Sequence, residues 1–324
     1  MNAEFLFQDG ECFPECHASS LVRLANGDIL CVYFAGLHEK ADDVGIWLSR
    51  RTENGWEKPR ILAKVDDVPH WNPVIFALPG GVRVCFKVGR EIPDWLSWHM
   101  ESFDGGKTWT KPLPYGEAVG PVRSKPILLS NGCMLAPNSV ETSDSWRPRA
   151  DVSCDFGAQF RILSPIPVNC TRENELNFIS GLGAIQPTFW ESRKGCVHAL
   201  LRTTCGYIFR SDSGNFGKTF SEAKNTGIPN NNSGIDVVNT PRGLFLAMNP
   251  VSGNWAERTP LVILKSTDNG KTFSHFHTLA DLKWDEKGGK NAEFSYPAII
   301  ADEEYLHVTF TWLRRQIAYC KISY

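Results

Sequence analysis

The stretch SFDGGKTW, Ser102–Trp109, recurs almost unchanged as STDNGKTF at Ser266–Phe273. In both copies a short Asp side chain can cap backbone N–H groups, a Gly can take a positive φ, and the aromatic residue can start the next strand. Each copy therefore predicts a tight turn between two strands. Three weaker copies keep part of the pattern: SRRTENGW at 49–56, SCDFGAQF at 153–160 and SGNFGKTF at 213–220.

The rest of the chain consists of short apolar or alternating runs separated by Gly, Pro, Asn and Asp, and helical periodicity is nearly absent. Two strands precede each turn, one leads into it and one leads out, so five turns mark five units of four strands. The C-terminal runs YPAIIAD, YLHVTFTW and QIAYCKIS lack a fourth strand, which AEFLFQD near the N-terminus can supply. We predict an all-β, six-bladed β-propeller of four-stranded antiparallel blades, closed by the N-terminal strand, as one domain over 1–324.

Composition narrows the possible partners. The 324 residues carry a formal net charge of -2 without basic runs, which argues against a nucleic-acid or anionic-membrane partner. The N-terminus does not resemble a secretory signal, so we expect a cytoplasmic protein with reduced thiols, including Cys31, Cys85 and Cys133. Cys12, Cys16 and His17 lie close enough to suggest zinc, but no second ligand pair has a matching spacing, and we expect no metal or cofactor.

The candidate site comes from the propeller geometry. The first strand of a blade lies nearest the axis, so the residues that begin these strands should converge at the mouth of the channel. Proline follows four of them, as expected for a strand whose edge faces the channel. Polar residues occupy all six positions: His17, Asn72, Lys125, Gln186, Asn232 and Tyr296.

A second set of candidates lies in the loops and strand ends next to these positions, where rigid scaffolds commonly place functional groups. The turn motif itself is assigned to structure, because it should lie at the opposite end of each blade. The second set contains Asp42, Asp43, Glu141, Arg202, Arg258 and Arg314.

The turns and the phrases WNPVIF, GPVRSKPILL, IQPTF, PNNNSGID and EFSYPAI resemble the sialidase (neuraminidase) superfamily, in its branch with Asp-box repeats. The similarity extends over essentially the whole chain. Sialidases use three arginines to hold the substrate carboxylate, a tyrosine nucleophile activated by a glutamate, and an aspartate as acid and base. The resemblance implies that Tyr296 is the nucleophile, that Arg202 and Arg258 are two of the arginines, and that Asp42 or Asp43 is the acid/base.

The sequence departs from that pattern at two positions. Glu15 and His17 stand where the first arginine would be, and Gln186 stands where the activating glutamate would be. An amide cannot accept the tyrosine proton, and a phenol is a weak nucleophile at neutral pH unless a base or a cation lies nearby.

Three hypotheses follow. The first is a sialidase-like glycoside hydrolase acting on a terminal acidic sugar, with Glu141 or Asp43 as the general acid. The second is a uronate-directed lyase in which His17 or Tyr296 removes a proton. The third is a glycan-binding propeller without turnover, which would stack sugars on Trp71, Trp95 and Trp312. We expect Glu293, in EFSYPAI, to contribute to substrate binding as well. In every case the partner is a carbohydrate, preferably an anionic one.

Overall fold

A computed structural model describes residues 3–170, 182–282 and 292–324. These residues form six antiparallel sheets, which confirms the prediction of an all-β, six-bladed β-propeller fold. The short 3-10 helix Ile92–Asp94 is the one helical element within the described ranges. No helix among them is long and apolar enough to cross a membrane.

The chain divides into two compact units. The middle unit comprises Pro126–Ser295, and the terminal unit comprises the described residues up to Lys125 together with Tyr296–Tyr324.

The middle unit holds three sheets, in each of which four consecutive strands pair in chain order. The first contains β11 (Ile127–Leu128), β12 (Met134–Glu141), β13 (Trp146–Ser153) and β14 (Arg161–Pro165). The second contains β15 (Ala184–Arg193), β16 (Cys196–Thr203), β17 (Tyr207–Ser213) and β18 (Lys224–Pro229). The third contains β19 (Asp236–Thr240), β20 (Gly243–Met248), β21 (Leu261–Ser266) and β22 (Ser274–Ala280).

The terminal unit holds the other three sheets, except that Phe294 and Ser295 of the last one belong to the middle unit. One contains β2 (Glu15–Arg23), β3 (Ile29–Gly36), β4 (Gly45–Thr52) and β5 (Gly55–Trp56), and β6 (Arg60–Ala63) also pairs with β4. The next contains β7 (His70–Leu78), β8 (Gly81–Val88), β9 (Leu96–Ser102) and β10 (Leu113–Pro114). The last contains β23 (Phe294–Ala301), β24 (Tyr305–Trp312), β25 (Gln316–Ser323) and β1 (Glu4–Phe5).

The N-terminal strand completes this last sheet, as predicted. Glu4 pairs with Tyr319 and Phe5 with Ala318, and the Leu6 N–H donates to the Ile317 carbonyl at 3.1 Å. The strand therefore covers the edge of β25, which would otherwise expose its unpaired backbone groups.

The central strands are apolar because they are covered on both faces. All eight residues of β3 are buried, and the side chains of neighbouring sheets within a unit pack into continuous cores. One such core, in the terminal unit, contains Leu30, Val32, Ile75, Val84 and Phe86.

The repeated turns fasten the third strand of a sheet to the fourth. In the copy at 102–109, the Gly106 N–H donates to Ser102 Oγ at 2.8 Å, and Asp104 accepts from the hydroxyl of Thr108 at 2.6 Å and from its backbone N–H at 3.0 Å. These hydrogen bonds, first that from the Thr108 hydroxyl, hold the pKa of Asp104 well below its usual range. Equivalent Gly-to-Ser bonds form at 157, 217 and 270.

The weak copy at 49–56 is not such a turn, so this part of the prediction is wrong. It is a plain hairpin between β4 and β5, with Thr52 paired to Gly55 and its hydroxyl accepting from the Asn54 N–H at 3.2 Å. The segment has Arg51 where the other copies have Asp or Asn and Glu53 where they have Gly, and the Ser49 hydroxyl instead bonds Tyr33.

The expectation of reduced thiols is wrong for one pair, because Cys133 and Cys154 form a disulfide. The bond links the residue before β12 to the turn after β13. The other described cysteines, including Cys12, Cys16, Cys31 and Cys85, are free thiols.

Candidate functional site

A shared backbone conformation occurs in five sheets, within the first residues of the first strand or just before it. There a residue other than glycine adopts a left-handed conformation, and in the sheets that begin with β2, β7 and β15 the pairing register shifts at the same point. Such bulges redirect a side chain, and left-handed residues are typical of functional sites because the surrounding structure must hold them in place. The five residues are Ala18 (φ 55°), Asn72 (φ 42°), Gln186 (φ 49°), Asn232 (φ 57°) and Tyr296 (φ 52°).

Four of these positions were among the predicted site residues. In the first sheet the left-handed residue is Ala18, and the predicted His17 precedes it. Lys125 is half-buried and is not left-handed.

In the terminal unit, three side chains form what we call the Tyr296 cluster: His17, Arg123 and Tyr296. The ring centroids of His17 and Tyr296 lie 4.2 Å apart, and the guanidinium carbon of Arg123 lies 5.1 Å from the centre of the Tyr296 ring. His17 and Arg123 are buried, whereas Tyr296 is half-buried. The cluster thus places an imidazole and a permanent positive charge beside a partly accessible phenol.

The sequence analysis missed Arg123. Its guanidinium donates to the carbonyl of Pro297 at 2.7 Å and to that of Ser19 at 3.5 Å, which fixes it against β23 and β2. Arg123 lies in the loop before β11, where strand periodicity gives no indication of side-chain direction. The available signal was the phrase GPVRSKP, which places an arginine two residues before Lys125.

Asn72 and Trp71 are buried at the start of β7. The Trp71 indole N–H donates to the Gly89 carbonyl at 2.8 Å, and its ring packs against Trp95, with 5.2 Å between ring centroids. The faces of both indoles are therefore covered by protein rather than available to a sugar.

The loop between β3 and β4 carries Asp42 and Asp43, and both are exposed. Asp42 forms an ion pair with Arg90, and Asp43 accepts the Leu37 N–H at 2.9 Å. Arg314 forms an ion pair with Glu39, and its backbone carbonyl accepts the N–H of Cys16, the residue before His17, at 2.7 Å.

In the middle unit, four side chains form the Arg202 cluster: Glu141, Gln186, Arg202 and Asn232. Arg202 is buried, and it donates to Gln186 Oε1 at 2.9 Å and to Asn232 Oδ1 at 3.0 Å. Both acceptors are neutral amides, so neither cancels the guanidinium charge. Gln186 thus orients an arginine at the position where the resemblance implies a glutamate.

Glu141, at the end of β12, lies within the field of that charge. Burial raises the pKa of Glu141 above its usual value, against the opposing effects of the Arg202 charge and of a hydrogen bond from Ser139 at 3.3 Å. A carboxyl group with a raised pKa stays protonated closer to neutral pH, as a general acid requires.

Arg258 and Glu293, also in the middle unit, form an ion pair with 2.6 Å between Nη1 and Oε1. The Ser295 hydroxyl donates to the same carboxylate oxygen at 2.8 Å. The predicted arginine is therefore held by the predicted glutamate.

Trp255 is a second residue that the sequence analysis missed. Its side chain is 61% exposed, it has φ 60°, and it packs edge-on against Trp146 with 6.3 Å between ring centroids. Its neighbour Asn254 accepts from the Asn232 side-chain amide at 2.9 Å, which ties this loop to the Arg202 cluster. An exposed indole of this kind offers an apolar face to a sugar ring.

Within the described ranges, no group of three or more His, Cys, Asp or Glu side chains could hold a metal ion. The suggestion of zinc at Cys12, Cys16 and His17 therefore has no support in the geometry.

The fold resembles that of solved sialidases. A sialidase from a Hadza microbial source, Hz136, aligns with a TM-score of 0.78 at 15% identity, over 99% of this chain and 68% of that chain. NanB sialidase from Streptococcus pneumoniae aligns with a TM-score of 0.73 at 12% identity, over 99% of this chain and 70% of that chain. A protein of unknown function from Dyadobacter fermentans aligns with a TM-score of 0.76 at 16% identity, over 99% of both chains.

No curated protein matches the sequence. The family model for the BNR repeat-like domain matches residues 27–308, most of the chain. The chain therefore belongs to the BNR repeat-like family, and its fold is the one found in sialidases.

Proposed function

We propose that this protein is a glycoside hydrolase that removes a terminal acidic sugar, either sialic-acid-like or uronic, from a glycan. The observation that carries the proposal is the Tyr296 cluster, in which His17 and Arg123 flank a half-buried phenol. The names of its structural neighbours, Hz136 sialidase and NanB sialidase, agree with a reaction on glycans.

In this proposal Tyr296 attacks the anomeric carbon or stabilises the positive charge that develops there. The guanidinium of Arg123 stabilises the phenolate form, and His17 accepts the phenol proton. Together they supply the cation and the base that activate a phenol, in place of the activating glutamate that Gln186 replaces.

The preference for an acidic sugar rests on the positive charges of Arg202 and Arg258, the two arginines that the resemblance assigns to the substrate carboxylate. A substrate carboxylate would compete with Glu293 for Arg258. Such charge-assisted, bidentate contacts are the usual way in which proteins select carboxylates.

Glu141 is the preferred general acid, because its pKa is raised by burial. Asp43 and Asp42 are the alternatives, but both are exposed, and Asp42 is already paired with Arg90.

The contact between His17 and Tyr296 also favours a second candidate, a lyase that eliminates across a uronate. An imidazole beside a phenol can remove the proton next to the carboxylate and return one to the leaving oxygen. The two reactions give different products. Hydrolysis releases a saturated sugar, whereas elimination releases an unsaturated uronate that absorbs ultraviolet light.

The test is a panel of acidic oligosaccharides incubated with the wild-type protein and with Tyr296→Phe, Arg123→Lys and His17→Ala, with products followed by mass and absorbance. Tyr296→Phe should lower kcat by roughly 10³-fold or more, because it removes the reacting oxygen. Arg123→Lys keeps the charge but loses the planar contact, and should lower kcat by roughly 10²-fold.

Tyr305→Phe is the matched control, because Tyr305 lies in β24 of the same sheet and packs against Lys321. It should retain full activity. Wild-type activity in both Tyr296→Phe and Arg123→Lys would refute the proposed role of the cluster. An unsaturated product that disappears in His17→Ala would establish the lyase instead.

A further inference from the structure

A second group of reactive side chains lies within the middle unit, on the sheet formed by β15–β18. Ser192 Oγ lies 2.7 Å from Nε2 of His198, and Nδ1 of His198 lies 2.5 Å from Oδ1 of Asp212. A hydroxyl, an imidazole and a carboxylate in this order have the geometry that activates a serine nucleophile.

The strands explain why the three side chains meet. His198 in β16 pairs directly with Asp212 in β17, so their side chains lie on the same face. Ser192 is the extra residue of a bulge near the end of β15, where the register shifts between Glu191 and Arg193. Bulges of this kind redirect side chains, and here the exposed hydroxyl of Ser192 reaches the buried ring of His198.

The carboxylate of Asp212 fixes the tautomer of His198. Nδ1 lies 2.5 Å from this carboxylate, which can only accept, and 3.1 Å from Nη2 of Arg210, which can only donate. The shorter contact places the hydrogen on Nδ1, so Nε2 presents its lone pair to Ser192. Burial pushes the pKa of Asp212 upward, but the hydrogen bond from His198 and the charge of Arg210 outweigh it and hold that pKa below its usual value. Asp212 is therefore ionised at neutral pH.

A hydrogen-bond donor, the Asn269 amide, lies beside Nε2 of His198, the nitrogen that Ser192 also contacts. The indole N–H of Trp190 donates to Asn269 Oδ1 at 2.8 Å, which turns the amide so that Nδ2 faces Nε2 of His198 at 3.1 Å. The amide nitrogen carries two hydrogens, so Asn269 can stabilise negative charge that forms next to Ser192.

We propose that Ser192, His198 and Asp212 catalyse the hydrolysis of a carboxylic ester, with Asn269 as the oxyanion donor. Ser192 Oγ attacks the acyl carbon while His198 Nε2 takes the hydroxyl proton. The tetrahedral oxyanion accepts from Asn269 Nδ2, and its collapse breaks the bond to the alcohol oxygen, which receives the proton from His198. Water then attacks the acyl-serine, with His198 as the base, and releases the acid and Ser192.

The surroundings indicate the class of substrate. Ser192 lies on an exposed strand end, so a small acyl group carried on a larger molecule can reach it. The adjacent residues Arg193 and Lys194 are also exposed and cationic, which favours an anionic carrier. An acylated acidic glycan has both properties.

The test uses a fluorophosphonate probe, which labels activated serines, on the full-length protein, followed by intact mass and peptide mapping. Wild-type protein should acquire a single adduct on Ser192, and Ser192→Ala should acquire none. Hydrolysis of p-nitrophenyl acetate should fall by roughly 10²-fold or more in Ser192→Ala, because the nucleophile is lost. Since Ser192 is exposed, this substitution should leave the thermal midpoint unchanged.

Asn269→Asp keeps the acceptor for Trp190 but removes the donor, and should slow labelling by roughly 10²-fold. Ser274→Ala is the matched control, an exposed strand serine of the same unit whose hydroxyl donates to the Lys265 carbonyl. It should be labelled like the wild type. A folded wild-type protein that takes no label, or equal labelling of Ser192→Ala, would overturn the proposal and leave these hydrogen bonds a link between β16 and the turn that holds Asn269.

Discussion

Tyr296, Gln186 and Asn232 have little in common as side chains, yet each has a left-handed backbone near the start of the first strand of its sheet. Residues other than glycine adopt this conformation at a cost of roughly 1–3 kcal/mol, which the packing around them must offset. Each of the three side chains makes a contact within its cluster: Tyr296 with His17, and Gln186 and Asn232 with Arg202. The backbone conformation and the chemistry of the site are therefore linked at single residues.

The positions of these residues could be predicted from the sequence, but their conformation could not. Tyr296 and Gln186 each precede a proline, which normally disfavours helical conformations and favours an extended backbone. Here the tertiary packing overrides the local preference. Arg123 was missed for the related reason that its direction is fixed by the carbonyls of Ser19 and Pro297, both distant in the chain.

Glu141 gives a prediction at this scale. If it is the general acid, turnover should fall as pH rises through its raised pKa, since only the protonated form can donate. Glu141→Gln should abolish this decrease in turnover at high pH. It should also lower kcat strongly for substrates with alkyl leaving groups and only weakly for aryl glycosides, whose leaving groups need little protonation. Equal losses for both kinds of substrate would contradict the assignment.

The same residue should affect stability in a defined direction. Because the folded protein holds the Glu141 proton more tightly than the unfolded chain does, the stability of the wild type should decrease as pH rises from the unfolded pKa to the folded one. Glu141→Gln removes this penalty, so its thermal midpoint at neutral pH should equal or exceed that of the wild type.

The repeated turn determines the organisation of each sheet. In the sheet formed by β7–β10, Val88 pairs with both His70 and Leu96 at one end, whereas Val82 pairs with Ser102 at the other. The turn that begins at Ser102 is therefore at the opposite end from Asn72. This separation was predicted from strand order alone, because antiparallel pairing leaves no other arrangement.

Gly106 in that turn gives a prediction for the element. It has φ +83°, and an added Cβ would lie 2.6 Å from Leu30 Cδ1 in the neighbouring sheet. Gly132 has the same φ but no atom within 4 Å of the added Cβ. Gly132→Ala should therefore cost only the backbone strain, about 1 kcal/mol of unfolding free energy.

Gly106→Ala should cost a further 1–3 kcal/mol or so, because Leu30 is fully buried and must move within a packed core. Denaturant unfolding of the two variants would measure the difference. Equal losses would mean that the turn does not press on the neighbouring sheet.

At the scale of the whole molecule, the N-terminal strand joins the last sheet. Leu6 and Phe7 are buried in a core with Tyr33 and Ile317, and Glu4 accepts two hydrogen bonds from Arg51 at 2.8 and 2.9 Å. The count of three C-terminal strands without a fourth was sufficient to predict this pairing. The depth to which Leu6 and Phe7 enter the core was not predictable, because it depends on residues some 300 positions away.

Deletion of residues 1–7 should therefore destabilise the protein far more than deletion of 1–3. The longer deletion removes two buried apolar side chains and exposes the edge of β25, a loss of roughly 3–6 kcal/mol. Thermal unfolding and aggregation would both report it. Similar midpoints for the two deletions would show that the strand is dispensable to the sheet.

The left-handed residues have a consequence for how such a protein could change over time. Alanine, asparagine, glutamine and tyrosine all occupy this one backbone conformation at positions 18, 72, 186, 232 and 296. Since four different side chains share this conformation, a substitution among them at one of the five positions can replace the functional group while the backbone keeps its conformation. Proteins with this fold can therefore evolve a new reaction through substitutions that leave the fold stable at every step.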